Sequence, residues 1–194
     1  MAARDMLGLS HTMKALFRRI FSQGFRDCRS KMVIFVPHCV LNQNARVAGA
    51  AESPAAVTEL VRGLTDREIG IVQMPCPELQ ILGLVRGNMD IRRELQKDSN
   101  RARCRRLAAP LVEQVEQYRK GGIRVVGLIG KNGSPTCGVE ETWVDGITAG
   151  TGIFIEELMA ELRDRRVAIN ITGTRDDNSG ATLAIIDQWL AGVR

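Results

Sequence analysis

From residue 32 onward the chain alternates short apolar runs with helical patterns. Four runs predict buried strands: MVIFV (32–36), IGIVQM (69–74), IRVVGLIG (123–130) and VAINIT (167–172). Segments with helical periodicity follow each of them, and short apolar strands that alternate with helices form parallel sheets covered on both faces. The sequence therefore predicts an α/β fold with three αβα layers, built on a small, mostly parallel, doubly wound sheet of the Rossmann or flavodoxin type.

The helical segments are expected at 53–64, 90–120, 152–165 and 179–193. In the first, Ser53 stands at an N-cap position and Pro54 at the first helical position, a common helix start. The second is long enough for one helix or a pair interrupted near residues 98–100, and Gly121 ends it.

The 194 residues divide into a basic N-terminal extension (1–31) and a single α/β domain (32–194). The extension carries seven Lys or Arg against two acids, whereas the domain carries 20 of each, so the net charge of +5 belongs to the extension. A neutral domain makes nucleic acid an unlikely partner, although the basic segment 92–106 keeps RNA as an alternative. Residues 9–20 predict an amphipathic helix, which would be a docked helix, a targeting segment or an extension upstream of a start at Met32.

The chain has five cysteines and no apolar run near the ~20 residues of a membrane helix. An odd number of cysteines argues against a disulfide framework, so we expect reduced thiols and a cytoplasmic protein.

Three of these cysteines follow three different predicted strands. Cys39 follows the first in VPHCVLNQN, Cys76 the second in MPCPE, and Cys137 the third in GSPTCG. Because the carboxyl ends of parallel strands share one edge of the sheet, the three thiols should meet there. They could hold a cubane iron–sulfur cluster with one open iron, or a zinc ion completed by His38 or water. Nucleophilic thiol chemistry and partly buried cysteines without function stay open, and no role is assigned to Cys28 or Cys104.

These loops resemble a known family, the thiouracil desulfurases and their desulfidase relatives. The resemblance lies in CVLNQNAR (39–46), CPELQILGL (76–84) and KNGSPTCG (131–138), in the same order and spacing through most of 32–165. It implies a 4Fe–4S cluster held by Cys39, Cys76 and Cys137, whose open iron binds the sulfur of a thiolated substrate. Water would replace the sulfur and leave a carbonyl product and sulfide. The chain departs from the family at Asn42 and after CPE, so the substrate is open between thiouracil, another thiolated base, a thioamide and a small thiol.

The remaining candidate site residues are polar neighbours of the cysteines. Glu78 is the carboxylate nearest to a ligand in sequence and is the expected base, with a helix-capping charge as its alternative role. Ser134 is expected to hydrogen-bond the substrate or to form a turn. Asn42, Asn44 and Arg46 are expected to bind the polar edge of the substrate or to support the ligands, with Asx-type closure of the loop as their alternative role. His38 is expected to bind the substrate or support a ligand, with acid or base chemistry as its alternative.

Overall fold

The structure is a computed structural model that describes residues 27–87 and 89–192. Its central sheet has four parallel strands in the order β2-β1-β3-β6: β1 (Met32–Val36), β2 (Gly70–Gln73), β3 (Arg124–Lys131) and β6 (Ile171–Thr174). β1 pairs with β2 from Val33 opposite Gly70, and β3 pairs with β6 from Leu128 opposite Ile171. The connections run in opposite directions on the two sides of the β1–β3 pair, which is the switch point where ligands bind in such sheets.

Seven α-helices surround the sheet within the described residues: α1 (His38–Leu41), α2 (Thr58–Asp66), α3 (Pro77–Leu82), α4 (Ile91–Gln96), α5 (Asp98–Lys120), α6 (Ile153–Asp164) and α7 (Ser179–Ala191). One face of the sheet packs on α5 and α6 through a core that includes Phe35, Leu128 and Phe154. The other face packs on α2 and α7 through a core that includes Ile34 and Leu60. The predicted three-layer αβα fold is confirmed.

Two segments differ from the predicted boundaries by more than two residues. Residues 53–57 are not helical, because the backbone there pairs with the loop after β1: Gln43 N–H donates to Ala55 (2.7 Å) and Val57 N–H donates to Val40 (2.8 Å). The last strand begins at Ile171 rather than at Val167, whose N–H instead closes the end of α6 by donating to Leu162 (2.8 Å). The residues expected between 90 and 120 are a helix pair that breaks at Lys97.

A two-stranded antiparallel hairpin lies outside the central sheet and was not predicted. It consists of β4 (Glu141–Trp143) and β5 (Ile147–Ala149), joined through Asp145 and Gly146, which both have positive φ. The dipeptide Asp-Gly is a strong hairpin signal, so the sequence did contain the information.

The predicted amphipathic helix at residues 9–20 lies outside the described residues, and residues 27–31 have no regular secondary structure. Among the described helices, none combines the length and the apolar character that crossing a bilayer requires. Cys39, Cys76, Cys104 and Cys137 form no disulfide.

Candidate functional site

The three strand-end cysteines line one cavity. Cys76, Cys39 and Cys137 follow β2, β1 and β3, which are neighbours in the sheet, and all three contribute to the wall of a cavity of about 970 Å³. The predicted convergence at the carboxyl edge is therefore confirmed. Cys104 does not line this cavity; it is fully buried in α5 within the apolar core.

Each of these cysteines is fixed by its local backbone. Cys39 is the second residue of α1, and Cys76 caps α3, where its Sγ accepts from the Leu79 N–H (3.5 Å). The Cys137 loop is closed by Ser134, whose Oγ accepts from the N–H of Thr136 (3.1 Å) and of Cys137 (3.0 Å). An added Cβ at Gly138 would lie 2.1 Å from the Glu141 oxygen, so only glycine allows this close turn.

Burial keeps these sulfurs protonated in the protein alone. It raises the pKa of Cys39 to about 12, although Arg46 lowers it in part, and it also raises the pKa values of Cys76 and Cys137. The neighbouring thiols raise the pKa of Cys137 further, as expected for sulfurs that share one site. Binding of a metal would displace these protons.

The described residues contain no group of three or more His, Cys, Asp or Glu side chains that could hold one metal ion. A single tetrahedral zinc requires all its donors within about 2 Å of the ion. The cavity wall thus offers three soft donors that are not packed around one atom.

Glu78 lies on the cavity wall with both oxygens engaged. Thr136 Oγ1 donates to Oε1 (2.7 Å) and Arg86 Nε donates to Oε2 (3.1 Å). The Arg86 guanidinium is buried and also donates to the carbonyl oxygens of Gly83 (2.8 Å) and Ala45 (2.6 Å). Glu78 is therefore held in one position next to Cys76, with lone pairs to spare on each carboxylate oxygen.

The other predicted site residues are only partly brought together. His38, Arg46 and Ser134 line the cavity. Asn42 and Asn44 do not: Asn42 caps the 3₁₀ turn Gln43–Ala45 and its Oδ1 accepts from the Asn44 N–H (3.1 Å), while Asn44 is exposed. These two asparagines close the loop, which was the alternative role expected for them.

A buried ion network in the cavity wall was missed by sequence reasoning. Asp176, just after β6, accepts from Arg46 Nη1 at Oδ2 (2.5 Å), and Lys131 Nζ at the end of β3 lies 3.1 Å from its Oδ1. The Lys131–Asp176 ion pair does not have hydrogen-bond geometry, and Asp176 Oδ1 has no hydrogen-bond partner in the described protein. The local signals were that Lys131 and Asp176 both follow predicted strands, and that Lys131 begins the KNGSPTCG stretch.

Four apolar side chains that line the cavity are about half exposed: Met89, and Trp143, Val144 and Ile147 of the hairpin. The hairpin is attached to the Cys137 loop by the Thr142 hydroxyl, which donates to the Ser134 carbonyl oxygen (3.2 Å). The loop that presents Cys137 therefore also positions this apolar part of the cavity wall.

Comparison with known proteins identifies a relative. The chain is similar to the uncharacterized protein MJ0003 of Methanocaldococcus jannaschii, with 31% identity over 141 residues that cover 73% of this chain and 84% of the relative. No protein-family model matches the chain. No solved structure matches it significantly.

Proposed function

Since the chain belongs to the family of the uncharacterized protein MJ0003, whose name gives no activity, we propose its function from the site itself. The protein is an iron–sulfur-dependent desulfidase, a hydrolytic enzyme that cleaves the carbon–sulfur bond of a thiolated small molecule. Water replaces the sulfur of a thiocarbonyl group, the carbonyl oxygen comes from the water, and the sulfur leaves with both protons as hydrogen sulfide.

The observation that carries this proposal is the meeting of three thiols from neighbouring strands in one cavity. Cys39, Cys76 and Cys137 are the cysteines that line it, and Cys104 is excluded by its place in the core. Three thiolates without a fourth leave one iron of a cubane open to a ligand. A cluster spreads its ligands over several irons, so it does not need the tight single-ion packing that is missing from the described residues.

When bound, such a cluster supplies a Lewis acid with affinity for the soft sulfur of a thiocarbonyl. The protein's own groups then have separate tasks. Glu78, fixed by Thr136 and Arg86, accepts a proton from the attacking water. The Ser134 hydroxyl oxygen accepts hydrogen bonds from two backbone N–H groups. Its own O–H remains available as a donor toward the cavity that Ser134 lines.

The experiment is anaerobic purification of the full chain with iron, sulfide and zinc analysis, followed by sulfide release from thiolated compounds. We expect a brown protein with about four irons per chain and sulfide release from 2-thiouracil or a related thiocarbonyl. Alanine at Cys39, Cys76 or Cys137 should abolish iron binding, whereas Cys104→Ala is the matched control and should keep it.

Three results would count against the proposal. A colourless protein with bound zinc would indicate a zinc site on the same thiols instead of a cluster. Full iron binding by Cys137→Ala would remove that residue from the ligand set. A loaded cluster that releases no sulfide from any compound tested would indicate a non-catalytic sulfur carrier or sensor.

A further inference from the structure

Two positively charged side chains in the cavity wall pair with the same carboxylate. Lys131 and Arg46 share the single carboxylate of Asp176, whose side chain is 2% exposed, while those of Lys131 and Arg46 are 6% and 18% exposed. Glu52 also approaches Arg46, but at 3.7 Å, and its side chain is half exposed and screened by water. One buried cation, Lys131, and one partly buried cation, Arg46, therefore share one buried anion.

Lys131 is the less satisfied of the two cations. Arg46 donates to Asp176 (2.5 Å) and weakly to Gln43 (3.4 Å). An ammonium group has three N–H donors, yet the Lys131 side chain makes no hydrogen bond within the described protein, only the ion pair with Asp176. An ammonium that gives up water without replacing its hydrogen bonds destabilises the folded protein.

Lys131 also has a defined place in the site. It is the last residue of β3, beside the β1–β3 switch point, and its N–H donates to the carbonyl oxygen of Cys137 (2.7 Å). Its side chain lines the same cavity as the three cysteines. The unused donors are thus available to a molecule in that cavity.

We infer that Lys131 is a substrate-binding residue whose ammonium donates to a carbonyl oxygen or anionic heteroatom on the polar edge of the substrate, and that Asp176 and Arg46 position it. The inference rests on the proposed function for the identity of the substrate. The Oδ1 of Asp176 attracts the Lys131 ammonium. Arg46, in the loop after β1, donates to the other carboxylate oxygen and fixes its position. The bound ligand then supplies the hydrogen-bond acceptor that the protein lacks.

Stability separates this role from a structural one. In Lys131→Met the remaining Arg46–Asp176 pair is balanced, so Tm should stay the same or rise, because an unsatisfied buried cation has been removed. If Lys131 instead serves the fold, the same substitution should lower Tm and leave ligand affinity unchanged.

The test uses uracil, the sulfur-free product expected from 2-thiouracil, because its binding does not depend on affinity for sulfur. Calorimetric titration of the anaerobically purified full chain should show uracil binding that weakens about tenfold or more in Lys131→Met, since a charge-assisted hydrogen bond is lost. Asp176→Asn should weaken binding as well and should also lower Tm. Lys120→Met, a substitution of an exposed lysine at the end of α5, is the matched control and should change neither quantity.

The outcomes separate this inference from the proposed function. Sulfide release from 2-thiouracil with uracil affinity and KM unchanged in Lys131→Met would overturn the inference alone. Uracil binding that depends on Lys131, without sulfide release from any compound, would overturn the proposed function alone. A wild-type protein that binds no uracil, or a Lys131→Met protein that does not fold, would also overturn the inference.

Discussion

Two regions of the molecule use the same set of charges in different surroundings. At the carboxyl edge of the sheet, Asp176 serves Lys131 and Arg46; between α5 and α6, Glu157 serves Arg101 and Arg105. Both carboxylates are buried, with side chains 2% and 4% exposed. In each region one buried carboxylate joins two basic groups, and one of these also approaches a second, more exposed carboxylate: Arg46 approaches Glu52, and Arg101 pairs with Glu156.

The difference lies in the cations. The side chains of Arg101 and Arg105 are 35% and 65% exposed and keep much of their water, whereas that of Lys131 is 6% exposed. The ion pairs of Glu157 with Arg101 and Arg105, which we call the helix staple, join α5 to α6 while their cations stay hydrated, so desolvation of the cations costs little. An ion pair whose cation is buried beside a cavity destabilises the fold by desolvation unless a ligand supplies the missing hydrogen bonds. The same charges therefore stabilise packing in one region and prepare a binding site in the other.

The largest loss in the free energy of unfolding should come from Asp176→Asn. It leaves the buried Lys131 and the partly buried Arg46 without their common anion, and breaking a buried pair in this way destabilises by about 3 kcal/mol or more. Urea unfolding at neutral pH measures it. Asp177→Asn is the matched control, because Asp177 is exposed and one residue away, and it should change the free energy of unfolding by less than about 0.5 kcal/mol. Equal losses in the two variants would show that burial does not distinguish these carboxylates.

The sequence predicted the sheet and the meeting of the cysteines for the same reason. Strand and helix periods are local, and parallel strands necessarily bring their carboxyl ends to one edge, so Cys39, Cys76 and Cys137 could be placed together without tertiary information. The Asp176 network could not be predicted in this way. Arg46 was expected to contact the substrate, but its partner is 130 residues away, and no local pattern encodes that pairing.

The boundaries failed where long-range contacts overrode local signals. Ser53 and Pro54 form a good helix start, yet backbone pairing of residues 55–57 with the loop after β1 prevents a helix there. Charge pairing is also hidden from a single segment. In the basic segment 92–106, Arg92, Arg101 and Arg105 are paired with Glu156 and Glu157 on α6.

A smaller, pH-dependent effect is expected at the helix staple. Burial alone would raise the pKa of Glu157, but hydrogen bonds from Arg105 and Arg101 outweigh it and lower the pKa below the usual range. A carboxyl whose pKa is lowered by folding stabilises the protein above its unfolded pKa, about 4.3, and this contribution is lost as the pH falls through the folded value. Glu157→Gln should therefore lose about 1–2 kcal/mol at neutral pH.

Urea unfolding of this variant at neutral pH and below about pH 4 checks the sign, because the gap to the wild type should close on acidification. The control is Glu113→Gln, the same substitution on α5. Glu113 is exposed and has no ion pair within the described residues. A gap that widens in acid would contradict the lowered pKa of Glu157.

The smallest effect should come from Arg105→Met, which removes the more exposed cation of the staple. Arg101 still pairs with Glu157 (2.6 Å) after this change, so the carboxylate is not left alone, and exposed pairs contribute about 0–1 kcal/mol. The loss should shrink further at about 1 M salt, where the screening length is near 3 Å. Arg106→Met, at an exposed neighbour without an ion pair in the described residues, is the matched control. A loss from Arg105→Met as large as that from Asp176→Asn, or one that salt does not reduce, would mean that the exposed cation is no less important than the buried ones, and the contrast between the two regions would fail.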